Sequence, residues 1–166
     1  MSEEIRQVSM RSKGPVPYSL RTASADDLEF LFDVSTKAME PVDIALNPLK
    51  SFDREVELKK YKEKFIPEDI QIISYESEDV GRLRVVRSNE SIYIGGIQIL
   101  PEFQGKGIGT ALFLELIEES EETGLPITLE VHDVNENALR FYANLGFSSV
   151  GHEGNKTLMK YQPPAL

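Results

Sequence analysis

Three glycines stand at alternate positions in the stretch FQGKGIGTALF, which covers residues 103–113. They are Gly105, Gly107 and Gly109, and a run of good helix formers follows them. Glycine inside a regular element costs about 0.5–1 kcal/mol relative to alanine, so this spacing needs a reason. A glycine-rich turn that leads from a strand into a helix exposes backbone N–H groups at the positive end of the helix dipole. The stretch therefore predicts an anion site, best suited to phosphate.

Two common phosphate-binding motifs do not fit these residues. A Walker A motif needs a glycine five positions before the Gly105-Lys106 pair, and position 100 is leucine. The dinucleotide fingerprint G-x-G-x-x-G finds Thr110 or Leu112 at its last position, depending on where it starts. What remains is the sequence QGKGIG at 104–109, of the form Q/R-x-x-G-x-G/A.

This stretch resembles the acetyl-CoA pyrophosphate loop of the GNAT superfamily of N-acetyltransferases. A second stretch, VNENALRFYANLGF at 134–147, resembles a later motif of the same family. The positions that match this later motif are Asn135, Ala138, Tyr142, Gly146 and Phe147. The strong resemblance covers about residues 91–147, and the first half of the chain matches only in its layout of strands and helices.

The resemblance implies how acetyl-CoA binds, as a co-substrate. Backbone amides of the loop hold the pyrophosphate, with Thr110 in reach, and the pantetheine arm pairs with the strand before the loop like an added β-strand. Gly95-Gly96 would suit a bulge in that strand, and a nearby backbone N–H would stabilise the oxyanion. The coenzyme-binding residues are then Ile97, Ile99, Leu100, Gln104, Gly105, Lys106, Gly107, Ile108, Gly109, Thr110 and Asn135.

Tyr142 is the first catalytic candidate, because in the family the tyrosine at this place can protonate the departing thiolate. A phenol has a pKa near 10, so it is protonated at neutral pH. The alternative is that Tyr142 belongs to the apolar stripe of a packed helix, together with Ala138 and Leu145. Asn135 leaves a similar choice, since it could cap its helix, contact the coenzyme, or do both.

The general base is less clearly marked. Several family members use a glutamate at the position that is Gly95 here, so that assignment does not transfer. Glu130 ranks first because it carries a carboxylate, and Tyr93 and Gln98 are alternatives, each of which could also be an ordinary strand residue. A base is needed because an amine with a pKa near 10.4 is almost fully protonated at pH 7.

The reaction implied is transfer of an acetyl group from acetyl-CoA to a primary amine of a small molecule or peptide. With no cysteine to form an acyl-enzyme, direct attack in a ternary complex is the simplest route. The acceptor should lie over the first two helices, near residues 35–55. Two rival functions remain: an acyltransferase for a longer acyl chain or a hydroxyl acceptor, and a non-catalytic acyl-CoA sensor. The family also makes a homodimer plausible.

Composition narrows the partners. The 166 residues carry a formal net charge of -10, which disfavours binding to nucleic acid or to a membrane surface. Two histidines without ligand spacing predict no metal site. The acidic N-terminus lacks the basic and apolar regions of a signal peptide, so the sequence favours a cytoplasmic protein.

The order of elements predicts an α/β fold with a mixed, largely antiparallel sheet flanked by helices, as in the acyl-CoA N-acyltransferase fold. An irregular arm spans 1–17 and a single domain spans 18–166. Helices are expected from Ala25 to an interruption at Pro41 and Pro48, and then over 51–66, 107–123 and 135–145. Strands are expected over 18–23, 69–76, 81–88, 91–100, 127–132, 147–150 and 156–161.

Overall fold

The computed structural model describes residues 10–11 and 14–165. Eight strands occur in this part of the chain: β1 Met10–Arg11, β2 Tyr18–Thr22, β3 Gln71–Tyr75, β4 Glu78–Arg87, β5 Ile92–Ile99, β6 Ile127–His132, β7 Ser148–Glu153 and β8 Lys156–Tyr161. The same residues form four α-helices: α1 Leu28–Leu46, α2 Arg54–Glu63, α3 Ile108–Thr123 and α4 Glu136–Asn144. Short 3₁₀ turns precede α1, β3 and the glycine loop.

The strands form one mixed sheet in the order β1-β2-β3-β4-β5-β6-β8-β7. Strands β5 and β6 are parallel, because helix α3 returns the chain between them. The pairs β1–β2, β2–β3, β3–β4, β6–β8 and β7–β8 are antiparallel. The predicted α/β class with a largely antiparallel sheet is confirmed.

The chain divides into two compact units. The first contains the described residues up to Arg84 together with Gly96–Ala111, and the second contains Val85–Gly95 and the described residues from Leu112 onward. Two residues of the predicted irregular arm form strand β1, which pairs with β2, while 1–9 and 12–13 lie outside the described residues. The single domain 18–166 stays a prediction.

In the first unit, helix α1 runs through a proline that was expected to interrupt it. The 3₁₀ turn that leads into α1 is capped, because the Ser24 N–H donates to the Asp27 carboxylate at 2.8 Å. Pro41 then lies inside the helix, and the prediction of a break there was wrong. Proline removes one backbone hydrogen bond, but Val42, the next residue, is 6% exposed. Burial of Val42 favours the unbroken helix, whose last residues, 43–46, are exposed.

In the second unit, aromatic rings form much of the core. Phe113 of α3 contacts Phe141 and Tyr142 of α4, with ring centroids 5.8 and 5.2 Å apart. Phe147, just after α4, contacts Tyr142 at 5.5 Å and Tyr161 of β8 at 5.8 Å. Edge-on and tilted ring contacts of this kind stabilise a core beyond the area that they bury. We call these five residues the aromatic cluster.

Membrane-spanning helices and metal-binding clusters are both absent from the described residues. None of their helices is both long and apolar enough to cross a membrane. No group of three metal-binding side chains comes together among them.

Gly81 of β4 allows the backbone of this strand to lie close to that of β5 in the first unit. An added Cβ there would lie 2.5 Å from the carbonyl oxygen of Gln98, which is backbone and has little room to move. We expect Gly81→Ala to lower the free energy of unfolding by about 1–3 kcal/mol, measured by urea denaturation. Gly151→Ala is the matched control, because its Cβ meets only the flexible Leu158 side chain, at 3.3 Å. Equal losses in the two variants would contradict this reading of Gly81.

Candidate functional site

The glycine loop before helix α3 has a left-handed backbone at two positions. Gly105 has φ +77° and Gly107 has φ +83°, a region that side chains with a Cβ rarely adopt. Gly105, Lys106 and Gly107 are exposed, whereas Ile108 is buried and anchors the first turn of the helix. The glycines are therefore needed for the left-handed backbone of the loop. This reason adds to the predicted one, which was that glycine leaves the backbone uncovered.

The backbone N–H groups at the start of helix α3 are not used in hydrogen bonds within the described part of the chain. The first backbone hydrogen bond of α3 runs from the Ala111 N–H to the Gly107 carbonyl at 3.0 Å. No N–H group from Gly105 to Thr110 donates to another described residue. Several adjacent donors at a helix N-terminus form a suitable environment for a diphosphate.

Gln104 is a structural residue of this loop. Its N–H donates to the Pro101 carbonyl at 3.2 Å, and its side-chain Nε2 donates to the Ile99 carbonyl at 2.9 Å. The amide of Gln104 is therefore engaged inside the turn, and the amides left for an anion begin at Gly105. The Gln104 N–H is used in this way because a 3₁₀ turn precedes the loop, and a contact of Gln104 with the coenzyme stays a prediction.

The predicted pantetheine strand is β5; its residues Ile97 and Ile99 are half-buried, and so is Leu100 just after it. The Leu100 N–H donates to the Val80 carbonyl at 2.8 Å. Strand β5 is continuous through Gly95-Gly96, and the predicted bulge there stays a prediction. In the second unit, β5 pairs with β6 in parallel. The last paired residues are Ile94 of β5 and Leu129 of β6, although β6 itself continues to His132.

Asn135 caps helix α4 as one of its two predicted roles. Its side-chain oxygen accepts a hydrogen bond from the Ala138 N–H at 3.3 Å. Capping of this kind typically stabilises a helix by about 1 kcal/mol. A contact of Asn135 with the coenzyme stays a prediction.

Tyr142 lies within the aromatic cluster and is 8% exposed. Burial raises the pKa of its hydroxyl to about 12. The phenol is therefore protonated throughout the neutral range, the form that a proton donor needs. The same contacts agree with the alternative that Tyr142 is a core residue, so packing and acid catalysis are compatible roles for one side chain.

Glu130 is an exposed residue of β6. Its carboxylate lies 3.8 Å from the Lys156 ammonium, and both side chains of this loose ion pair are more than a third exposed. Side chains alternate along a strand, so Glu130 points away from the face of Ile127, whose partner Tyr161 belongs to the aromatic cluster. Glu130 and Tyr142 thus belong to opposite faces of this part of the sheet.

One polar pair in the first unit was not singled out from the sequence. Nη1 of Arg82 on β4 donates to Oε1 of Gln98 on β5 at 2.5 Å. A Cβ on Gly96 would lie 3.2 Å from this Nη1 atom, so the glycine makes room for the guanidinium. Gln98, an alternative base, is therefore engaged with a cation. The alternation of Arg82 and Arg84 in GRLRVVR was the available signal, since alternate strand residues share a face.

The region predicted to bind the acceptor contains a large cavity. Its volume is about 950 Å³, and its lining includes Phe32, Met39, Glu40, Asp43 and Tyr61. Helices α1 and α2 of the first unit supply these residues. Glu40 and Asp43 are both exposed where they line the cavity.

Known proteins resemble this chain in sequence and in fold. An uncharacterized N-acetyltransferase of Methanocaldococcus jannaschii is 28% identical over 136 residues, which are 78% of this chain and 60% of the relative. The chain thus spans about 60% of that relative's length. The structure of the PaiA N-acetyltransferase of Thermoplasma acidophilum, in complex with coenzyme A, has a TM-score of 0.67 at 22% identity, covering 87% of this chain and 98% of that one.

The ribosomal-protein-S18-alanine N-acetyltransferase of Escherichia coli has a TM-score of 0.60 at 19% identity, covering 89% of this chain and 96% of that one. At such identities the two solved structures show the fold alone. The family model described as "Acetyltransferase (GNAT) family" matches residues 42–147. That match covers well over half of the sequence and includes both the glycine loop and the motif around Tyr142. The chain therefore belongs to the GNAT acetyltransferase family, which consists of acyl-CoA-dependent N-acyltransferases.

Proposed function

We propose that this protein transfers an acetyl group from acetyl-CoA directly to a primary amine of a small molecule or peptide. The observation that carries the proposal is the glycine loop, whose N–H groups from Gly105 to Thr110 have no acceptor among the described residues. The loop fits a diphosphate because the left-handed glycines leave the backbone uncovered at the start of a helix. The coenzyme A bound by the PaiA N-acetyltransferase, which has a similar fold, supports the same ligand here.

Binding of the coenzyme involves both the loop and strand β5. Amides from Gly105 to Gly109 hold the pyrophosphate, and Lys106 and Thr110 lie exposed beside it. The pantetheine arm extends along Ile97 and Ile99, half-buried residues of β5. A β5 amide near these residues stabilises the oxyanion that forms at the thioester carbonyl.

The chemical step begins when the neutral amine attacks the thioester carbonyl carbon. Because Glu130 lies on the face of β6 opposite to Tyr142, it accepts through water the proton that the amine loses. The C–N bond forms, the C–S bond breaks as the oxyanion collapses, and the thiolate takes a proton from the Tyr142 hydroxyl. Solvent exchange then returns the proton to Tyr142. The chain has no cysteine, which favours this direct route over an acyl-enzyme.

Release of free thiol from acetyl-CoA, followed over a panel of primary amines, tests this function. We expect amine-dependent thiol release and a product whose mass is increased by one acetyl group. Initial rates with both substrates varied should give intersecting double-reciprocal lines, because a ternary complex forms before any product leaves. Parallel lines would contradict direct transfer.

Two other outcomes would replace the proposal with a rival. Faster release from a long-chain acyl-CoA than from acetyl-CoA would identify a longer acyl donor. Tight binding of coenzyme A in calorimetry, with no turnover on any amine, would identify an acyl-CoA sensor.

A further inference from the structure

Arg82 of strand β4 has a largely buried guanidinium that is incompletely hydrogen-bonded. Nη1 donates to the neutral amide of Gln98, and Nε is buried without a hydrogen bond to any described residue. Burial lowers the pKa of Arg82 below the usual arginine value; the nearby Tyr61 acts against this shift, and repulsion by Arg84 adds to it. A guanidinium nevertheless stays charged in proteins. A buried charge with free donors is costly, so this group would gain strongly from an anionic partner.

Other arginines of the chain show what is missing at this position. Arg21, Arg54 and Arg87 each bind a carboxylate, at 3.0, 2.6 and 2.7 Å. Arg82 and Arg84 share one face of β4, and neither forms an ion pair with a described residue. Arg82 is more buried than Arg21, Arg54 and Arg87, and yet it lacks the carboxylate that each of them binds.

Both arginines line a cavity of about 300 Å³ in the first unit. Its charged lining consists of Lys64, Arg82 and Arg84 with a single carboxylate, Asp69. Three cations around one acid form a positive environment in a chain whose net charge is -10. This local excess favours an anion of small size.

Tyr61, another lining residue of this cavity, carries a second unused donor. Its hydroxyl is buried without a hydrogen bond to a described residue. Its ring is held in place between Phe32 and Phe65, with centroid distances of 5.6 and 5.7 Å. A buried hydroxyl without a partner costs about 1–3 kcal/mol, so two such donors on neighbouring residues of one cavity wall point to a missing acceptor.

We propose that the amine acceptor also carries a carboxylate, and that Arg82 binds this carboxylate together with the Tyr61 hydroxyl. Gln98 accepts a hydrogen bond from Nη1 of Arg82, so the other edge of the guanidinium, which includes Nε, is left for a ligand. That edge can bind a carboxylate through two parallel hydrogen bonds. The inference rests on the proposed acyl transfer, and it adds the class of substrate: amines that bear a carboxylate.

The surroundings of Arg82 are consistent with an acceptor site. Gln98 lies on β5 between the two proposed pantetheine residues Ile97 and Ile99, and its Nε2 atom is 4.0 Å from Sδ of Met39. Met39 and Tyr61 both line the 950 Å³ cavity, and Tyr61 lines the smaller one as well. A carboxylate at Arg82 would therefore place the rest of the acceptor along the strand proposed to hold the thioester.

Matched acceptors of equal chain length test the inference. We would compare n-alkylamines, ω-amino carboxylates and ω-aminoalkyl phosphates of two to six carbons, by thiol release and by calorimetry in the presence of coenzyme A. The expected result is a kcat/KM at least tenfold higher for the best amino carboxylate than for the alkylamine of the same length. Arg82→Met should lower this ratio at least tenfold, and Tyr61→Phe, which keeps the ring packing, should lower it severalfold.

Arg87→Met is the control variant, because it removes an arginine that already has a partner in Glu119 and should keep the preference. Unchanged affinity for coenzyme A would show that Arg82→Met is folded. If Arg82→Met does not fold, Tyr61→Phe tests the anion site in its place. Equal rates for alkylamines and amino carboxylates would overturn the inference while leaving acyl transfer intact. A preference for the phosphates would overturn the assignment of a carboxylate. Binding of amino carboxylates that depends on Arg82, without thiol release, would uphold the anion site and refute the proposed function.

Discussion

Gly107→Val is expected to weaken coenzyme A binding by a factor of 100 or more. Valine is strongly disfavoured at φ +83°, so the loop must change its backbone and move the amides from Gly105 to Thr110. Each charge-assisted hydrogen bond to a phosphate contributes roughly 1.5–3 kcal/mol, and about 1.4 kcal/mol corresponds to a factor of ten in affinity. Loss of two such bonds thus accounts for the expected change. Calorimetric titration with coenzyme A is the measurement.

A glycine of similar conformation outside the loop serves as the control. Gly124, just after helix α3, has φ +75° and no atom within 4 Å of an added Cβ. Gly124→Val should therefore lose a similar amount of stability, about 1–3 kcal/mol, while it keeps its coenzyme affinity. If both variants bind the coenzyme as tightly as the unmodified protein, the loop is not a phosphate site.

Tyr142→Phe is expected to lower kcat about 100-fold while coenzyme A affinity changes less than threefold. The change removes only the hydroxyl, so the ring contacts with Phe113 and Phe147 are kept. General acid catalysis typically contributes a factor of about 10²–10⁴, and we expect the lower end because a pKa near 12 makes Tyr142 a weak acid. Steady-state kinetics with the best acceptor and saturating acetyl-CoA measures the effect.

Tyr161→Phe is the matched control in the same aromatic cluster. The Tyr161 hydroxyl donates to the Glu121 carboxylate at 2.9 Å on the surface, away from any proposed chemistry. Its loss should leave kcat within a factor of about two. Unchanged turnover in Tyr142→Phe would assign Tyr142 to the core alone.

The raised pKa of Tyr142 also has a consequence for stability at high pH. The phenol ionises near pH 10 in the unfolded chain and near pH 12 in the folded one, so only the unfolded state releases its proton between these values. Below pH 10 there is no effect, and above it the free energy of unfolding falls by about 1.4 kcal/mol per pH unit. Urea denaturation at pH 9 and at pH 11.5 measures this decrease in the free energy of unfolding. The decrease should be about 2 kcal/mol smaller in Tyr142→Phe than in the unmodified protein. Equal losses would contradict the deep burial of this hydroxyl.

Local sequence determined the elements and the family. The glycine loop, the cap at Asn135 and the strand patterns depend on backbone conformation and on neighbours a few residues away, so they can be read without coordinates. Helix α3 begins at Ile108 and β6 spans Ile127–His132, as the patterns predicted to within one residue. The two family motifs also lie in one order and spacing, and the chain proved to be a member of the family they indicated.

Contacts between distant residues decided the rest. Helix α1 continues past Pro41 because Val42 is buried, and burial depends on what packs against the helix rather than on proline itself. Arg82 and Gln98 are 16 residues apart, and only the arrangement of the strands brings their side chains together. The same holds for Tyr142, whose hydroxyl has a raised pKa because residues of α3 and α4 exclude water from it. Sequence patterns identify which residues are available for chemistry, and tertiary packing sets their solvation and their partners.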